Sequence, residues 1–119
     1  RREIPEEKKA RAIRIEAAWL ATAPLDMRSG IDTMLARIVT AFGRAEAHHA
    51  YLFANRRANR IKLLVHDGIG VWMAMRRLNR GGFAWPAAGD ARIALSQDQL
   101  DALVLGLPWQ RSGVAIDLV

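Results

Sequence analysis

The stretch Tyr51–Leu64, YLFANRRANRIKLL, sets Arg56, Arg57 and Arg60 around a short polar turn, with Lys62 just beyond it. Guanidinium groups match phosphate oxygens in a two-pronged geometry and stay charged at any physiological pH. A turn so built could track a nucleic-acid backbone or enter a groove. Asn55 and Asn59 flank the arginines and could donate to phosphates or read adenine edges. Arg76, Arg77 and Arg80 follow within one more element. A basic turn solvated by water, with no partner, is the simpler alternative.

The placement of charge favours a polyanionic partner. The formal net charge is +6, from 18 Lys+Arg against 12 Asp+Glu. Residues 56–80 hold seven bases and a single acid, Asp67, so the whole excess falls in this window. Elsewhere eleven bases meet eleven acids. Such asymmetry is the electrostatic signature of a protein that meets a polyanion.

Other chemistries find little support. His48, His49 and His66 are the only histidines, and adjacent histidines on a strand point to opposite faces. No metal site or cofactor is expected. Asp26, Asp32, Asp67, Asp90, Asp98 and Asp101 are the candidate carriers of two metal ions, as in nucleases. None has a spacing that singles out a catalytic set, so no enzyme is expected. Asp98 and Asp101 fall early in a helix, where they suit its dipole. The Gly68–Gly70 stretch, GIG, lacks the third glycine and the lysine of a phosphate-cradling loop. Trp19, Trp72, Trp85 and Trp109 read chiefly as core anchors, with Trp85, beside Pro86, the candidate for base stacking or partner contact.

The elements that must position these residues can be read in outline. The chain has 119 residues, 51% hydrophobic and 25% charged, as a single soluble domain would. There is no cysteine, which excludes disulfides and thiolate metal sites and allows a reducing compartment. No run approaches a membrane span and no secretory signal is visible, so the cytoplasm is the expected location. Residues 1–12 read as a charged tail and 13–119 as one domain. The sequence has no initiator Met, as a processed or trimmed product would not.

Ile13–Ala21 reads as a strand in preference to a helix. Ser29, with Asp32 three residues on, reads as the cap of a helix. Its apolar stripe is Ile31, Met34, Leu35, Ile38, Val39 and Phe42, and Gly43 is its stop. Tyr51–Ala54 and Ile61–Val65 read as a β-hairpin, and Asp67, Gly68 and Gly70 as a further turn. Val71–Leu78 fits either a third strand or a helix. The tight turn before it favours the strand. Arg92–Leu95 reads as extended. Ser96 and Gln99 form a capping box for a second helix with Leu100, Leu103, Val104 and Leu107 on its apolar side, ended by Gly106. The C-terminal VAIDLV could add an edge strand. The expected class is α+β: a small antiparallel sheet built from hairpins, with two helices packed on one face.

Three segments, LATAPLDMRSGID, LFANRRANRIKLLVHDGIGVWMAMRRLNRGGFAWP and LVLGLPW, together resemble the small TnpB-type accessory proteins encoded beside the transposase in a class of bacterial insertion sequences. These are unrelated to the RNA-guided nuclease of the same name. The resemblance covers roughly Ile13 to Trp109. It implies a role assisting transposition, with DNA or the transposase as the supposed partner. Carried onto this chain, the family pattern points to Asp26, Met27 and Arg28, to Asn55, Arg56 and Arg57, to Lys62, to Asp67 and Gly68, and to Arg77 and Leu78. Ala54 and Ala58 stand where bulkier or more polar residues are expected.

The expected function is therefore that of a non-catalytic accessory factor holding DNA, transposon ends among the candidate sites. Its nucleic-acid-binding set is Asn55, Arg56, Arg57, Asn59, Arg60, Lys62, Arg76, Arg77 and Arg80, with Arg28 added by the resemblance. The alternative is a protein-interaction module that docks on the transposase, with Trp85 or Trp109 as anchor. An oligomer is compatible with either.

Overall fold

The computed structural model describes residues 14–86 and 92–111. In chain order it contains β1 (Ala17–Ala21), α1 (Ile31–Phe42), β2 (His49–Ala54), β3 (Arg60–His66), β4 (Val71–Arg77), β5 (Arg92–Leu95), α2 (Gln97–Val104) and a 3-10 turn (Trp109–Arg111). The expected tail at 1–12, the loop at 87–91 and the terminal strand at 114–119 lie outside the described residues.

Five strands form one sheet in the order β4-β3-β2-β1-β5. The β2–β3 and β3–β4 pairs are the two expected antiparallel hairpins. β5 also runs antiparallel to β1. The β1–β2 pair is parallel, because α1 carries the chain back to the starting edge before β2 begins. The α+β class holds, but the sheet is mixed where an antiparallel one was expected.

The helices lie on opposite faces of this sheet, not on one. The reason is legible in β2. Its run Ala50–Ala54 is buried at every position, so both of its faces need cover. Tyr51 and Phe53 pack with Leu64 and with Met34 and Ile38 of α1. Ala50, Leu52 and Ala54 pack with Leu20, Ile61, Val65, Phe83 and Trp109, and with Leu100 and Leu103 of α2. The sheet is therefore the middle layer of three.

Both helix starts were expected from serines, and only one is. Ser96 Oγ accepts from the Gln99 backbone N–H at 3.1 Å, and Gln99 Oε1 accepts from the Ser96 N–H at 2.9 Å. This is the full reciprocal box. At α1 the cap position is Gly30 in extended conformation, with no side-chain cap hydrogen bond. Ser29 sits one residue too early, and its carbonyl serves another group. Gly43 (φ 90°) closes α1 as expected, whereas Val39, placed in the apolar stripe, is 53% exposed.

Val71–Arg77 is a strand. Asp67 fixes the turn that starts it: its Oδ1 accepts from the N–H groups of Gly70 and Ile69 at 2.7 and 2.9 Å. Its Oδ2 accepts from the Trp72 indole N–H at 2.9 Å. These donors, Gly70 first and Ile69 second, hold the carboxyl below the usual carboxylate range.

No described helix is long and apolar enough to cross a membrane.

Candidate nucleic-acid interface

β1 and β2 run parallel, so both finish at the same end of the sheet, where β3 begins and β4 finishes. Three connections therefore gather at that end: residues 22–30 after β1, the turn 55–59, and the segment 78–83 after β4. Backbone hydrogen bonds tie them together. The Leu25 N–H donates to the Ala54 carbonyl at 2.8 Å, and the Phe83 N–H donates to the Ala58 carbonyl at 2.6 Å. At Gly82 the approach is so close that a Cβ would stand 2.9 Å from the Ala58 oxygen.

The turn owes its shape to its two asparagines. Asn55 Oδ1 accepts from the N–H groups of Asn59 and Arg60, both at 3.1 Å. Asn55 Nδ2 donates to Asn59 Oδ1 at 2.7 Å. Both side chains expected to reach nucleic acid are thus engaged in holding the loop. Ala58 adopts φ 55°, a left-handed conformation that costs a residue with a Cβ energy.

With the loop so held, Arg56, Arg57 and Arg60 line one open cleft of about 490 Å³ with Asn55. Its other wall is Pro24, Leu25, Asp26, Met27 and Arg28. Two cations build that wall. Arg37 Nη2 donates to the Pro24 carbonyl at 3.1 Å, with its guanidinium 5.7 Å from the centre of the Phe53 ring. Lys62 Nζ donates to the Met27 and Ser29 carbonyls at 2.7 and 2.6 Å. Lys62 is only 7% exposed. It was expected among the phosphate ligands, but a buried ammonium with two carbonyl acceptors supports the fold and does not face the surface.

Arg28 is exposed but engaged. Its Nε and Nη2 donate to the two Asp26 oxygens at 3.1 and 2.8 Å. That side-chain pairing, with the Arg28 backbone N–H second, holds the Asp26 carboxyl at about 2. The cleft thus contains one internally neutralised pair and three arginines, Arg56, Arg57 and Arg60, that make no ion pair with any described acid.

Beyond the cleft, Arg77 stands directly across from Arg60 in the β3–β4 register and on the same face of the sheet. Like charges directly opposite on neighbouring strands repel, and an anion between them would relieve this. Arg76 pairs with Ile61 and so points to the other face. Arg80 is exposed in the segment that folds back on the turn. The basic residues therefore share one end of the molecule without all sharing one face.

The tryptophans meet the expectation of core anchors in part, Trp85 and Trp109 packing inward and Trp72 outward. Trp109 is 3% exposed and its indole N–H donates to the Ala84 carbonyl. Trp85 is half-buried against the core and donates to the Ala21 carbonyl at 3.1 Å. The exposed indole is Trp72, at 45%, on the edge strand β4. Among the described residues no group of three His, Asp or Glu side chains is placed to hold a metal ion.

Asp26 and Met27 of this wall are pointed to only by the family resemblance, and Pro24, Leu25 and the role of Arg37 were missed from sequence. A lysine inside the apolar run of β3 was the available signal, since a buried ammonium requires acceptors and those had to come from another segment.

Comparison with known proteins decides the family. The family model described as IS66 Orf2 like protein matches residues 16–113. The chain belongs to the IS66 Orf2-like family. Two curated relatives come from Sinorhizobium fredii (strain NBRC 101917 / NGR234). The uncharacterized protein y4hO is 33% identical over 94 residues, covering 77% of this chain and 81% of the relative. The uncharacterized protein y4jC is 28% identical over 103 residues, 86% of each. No solved structure matches the chain. Membership in the IS66 Orf2-like family bears out the resemblance to insertion-sequence accessory proteins, and with it an accessory role in transposition.

Proposed function

We propose that this IS66 Orf2-like protein assists transposition, without chemistry of its own, by gripping the DNA backbone at the basic end of its sheet. Arg56, Arg57 and Arg60 hold phosphates in the cleft, and Arg77 extends the track along the same face. Arg80 adds charge alongside, and Arg28 keeps the cleft wall in place through Asp26. A DNA-bound factor of a bacterial element would act in the cytoplasm. The supporting observation is the convergence of Arg56, Arg57 and Arg60 on one cleft, with Arg77 across from Arg60 and no acid among the described residues pairing with any of the four.

The test is duplex binding by fluorescence anisotropy across a salt series, with Mg²⁺-dependent nicking followed in parallel. Four phosphate contacts give a slope of log K against log salt of about −3.6. Arg56→Ala/Arg57→Ala/Arg60→Ala abolishes most of the binding, and no nicking appears. Absence of binding at about 50 mM salt, where phosphate contacts are strong, would overturn the reading. Pull-down of the element's transposase by the same protein would then favour the docking module.

A further inference from the structure

β4 is an edge strand with an unusual surface. Trp72, Met73 and Met75 are 45%, 40% and 56% exposed, and no described strand pairs with its outer side. Long apolar edges are normally blunted, because their free N–H and C=O groups recruit further strands.

Which backbone groups are free follows from the register. The Asp67 N–H donates to the Gly70 carbonyl, and the Leu78 N–H donates to the Asn59 carbonyl, both at 3.0 Å. In an antiparallel ladder, hydrogen-bonded and non-hydrogen-bonded pairs alternate. Trp72, Ala74 and Arg76 therefore bond to β3, and Val71, Met73, Met75 and Arg77 present their N–H and C=O groups outward.

We propose that β4 is a dimerisation edge: two copies pair their β4 strands antiparallel about a twofold axis at Ala74. Met73 then faces Met75 of the second copy, and Val71 faces Arg77. Each of these is a hydrogen-bonded pair made by the outward-pointing residues. Ala74 meets its own copy as a non-hydrogen-bonded pair, where strands approach most closely and a small side chain suits. All seven residues of the strand are used, and two five-stranded sheets become one of ten strands.

Charge argues for a second copy and for this register. β4 begins beside Asp67, the only acid of residues 56–80, and ends in Arg76 and Arg77. Antiparallel pairing sets the basic end of each strand against the acidic end of the other. Arg76 comes across from the Trp72 indole, whose N–H is already held by Asp67, an arrangement suited to cation–π attraction. An axis at Arg76 or Arg77 would instead set a guanidinium against itself. On the opposite face Met73 and Met75 of both copies form a shared apolar cluster. The pairing needs no DNA, so its failure and that of the DNA reading are separable.

Sedimentation equilibrium of the full chain, without DNA, provides the test. The expected mass is twice 13.3 kDa. Met73→Lys/Met75→Lys places like charges opposite one another across the axis and should halve the mass. Met73→Glu/Met75→Lys places opposite charges across the same pairs and should keep the dimer. Both variants alter only exposed side chains, and circular dichroism checks their fold. A native monomer at tens of micromolar, or identical masses for the two variants, would overturn the proposal. A monomer whose β4 is covered by another segment of its own chain or only by the transposase counts as the first of these.

Discussion

Lys62 belongs to the fold, and Arg56, Arg57 and Arg60 to the surface, though all four lie within seven residues. Position along a strand separates them, since Lys62 sits between buried Ile61 and the apolar run that follows, under the loop whose carbonyls it holds. Lys62→Met should therefore lower stability by about 2 kcal/mol in urea titration, the scale of hydrogen bonds to a charged group. The salt slope for DNA should not move. Ala58 makes the opposite prediction. Its left-handed backbone suits glycine, and Ala58→Gly should stabilise by about 1 kcal/mol with the turn unchanged. Asp26 sets a pH signature. Its pKa falls from 3.8 unfolded to about 2 folded, so the stabilisation from Arg28 is complete above 3.8 and is lost as pH falls toward 2. Carbon NMR of the carboxyl should place its titration near 2, moving toward the ordinary range in Arg28→Ala and with added salt, because the pair is exposed.

Elements show the same division between local and remote causes. The start of α2 was legible because its capping box is complete within four residues, and Ser96→Ala should cost about 1 kcal/mol in thermal unfolding. The start of α1 was misread from an equally good pattern, Ser29 with Asp32, because the Ser29 carbonyl is taken by Lys62 and the cap passes to Gly30. The hairpins were legible because their turns are built from residues beside the strands, Asn55 and Asp67 above all. The parallel β1–β2 pair was not, since nothing local to β1 says which strand lies next to it. Opposite placement of the helices follows from the all-apolar β2, whose run AYLFA is the signal in the sequence that both faces need cover.

Across the whole molecule, charge is arranged by end. The basic end carries the cleft and Arg77. At the far end of the strands Glu16, Glu46 and Asp67 accompany Arg14 and Arg44, whose ion pairs are with Glu16 and Glu46. The charge window of residues 56–80 made the basic end legible, because adjacent hairpin strands must finish together. The second wall of the cleft was indicated only by the resemblance, at Asp26, Met27 and Arg28, and not by charge or spacing, since it comes from a stretch some thirty residues earlier that only tertiary packing brings near. Reducing the cleft to Arg60 by Arg56→Ala/Arg57→Ala should lower the magnitude of the salt slope by about 1.8, the value for two phosphates, without changing thermal stability measurably. The order of the sheet has one more consequence. β1 is made first, yet both of its neighbours, β2 and β5, are made later. On the ribosome this segment must wait, open on one side until residue 54 has emerged and on the other until residue 95. A translation arrest after β4 leaves a nascent chain in which β1, an inner strand of the finished sheet, still has one bare side for a chaperone to hold.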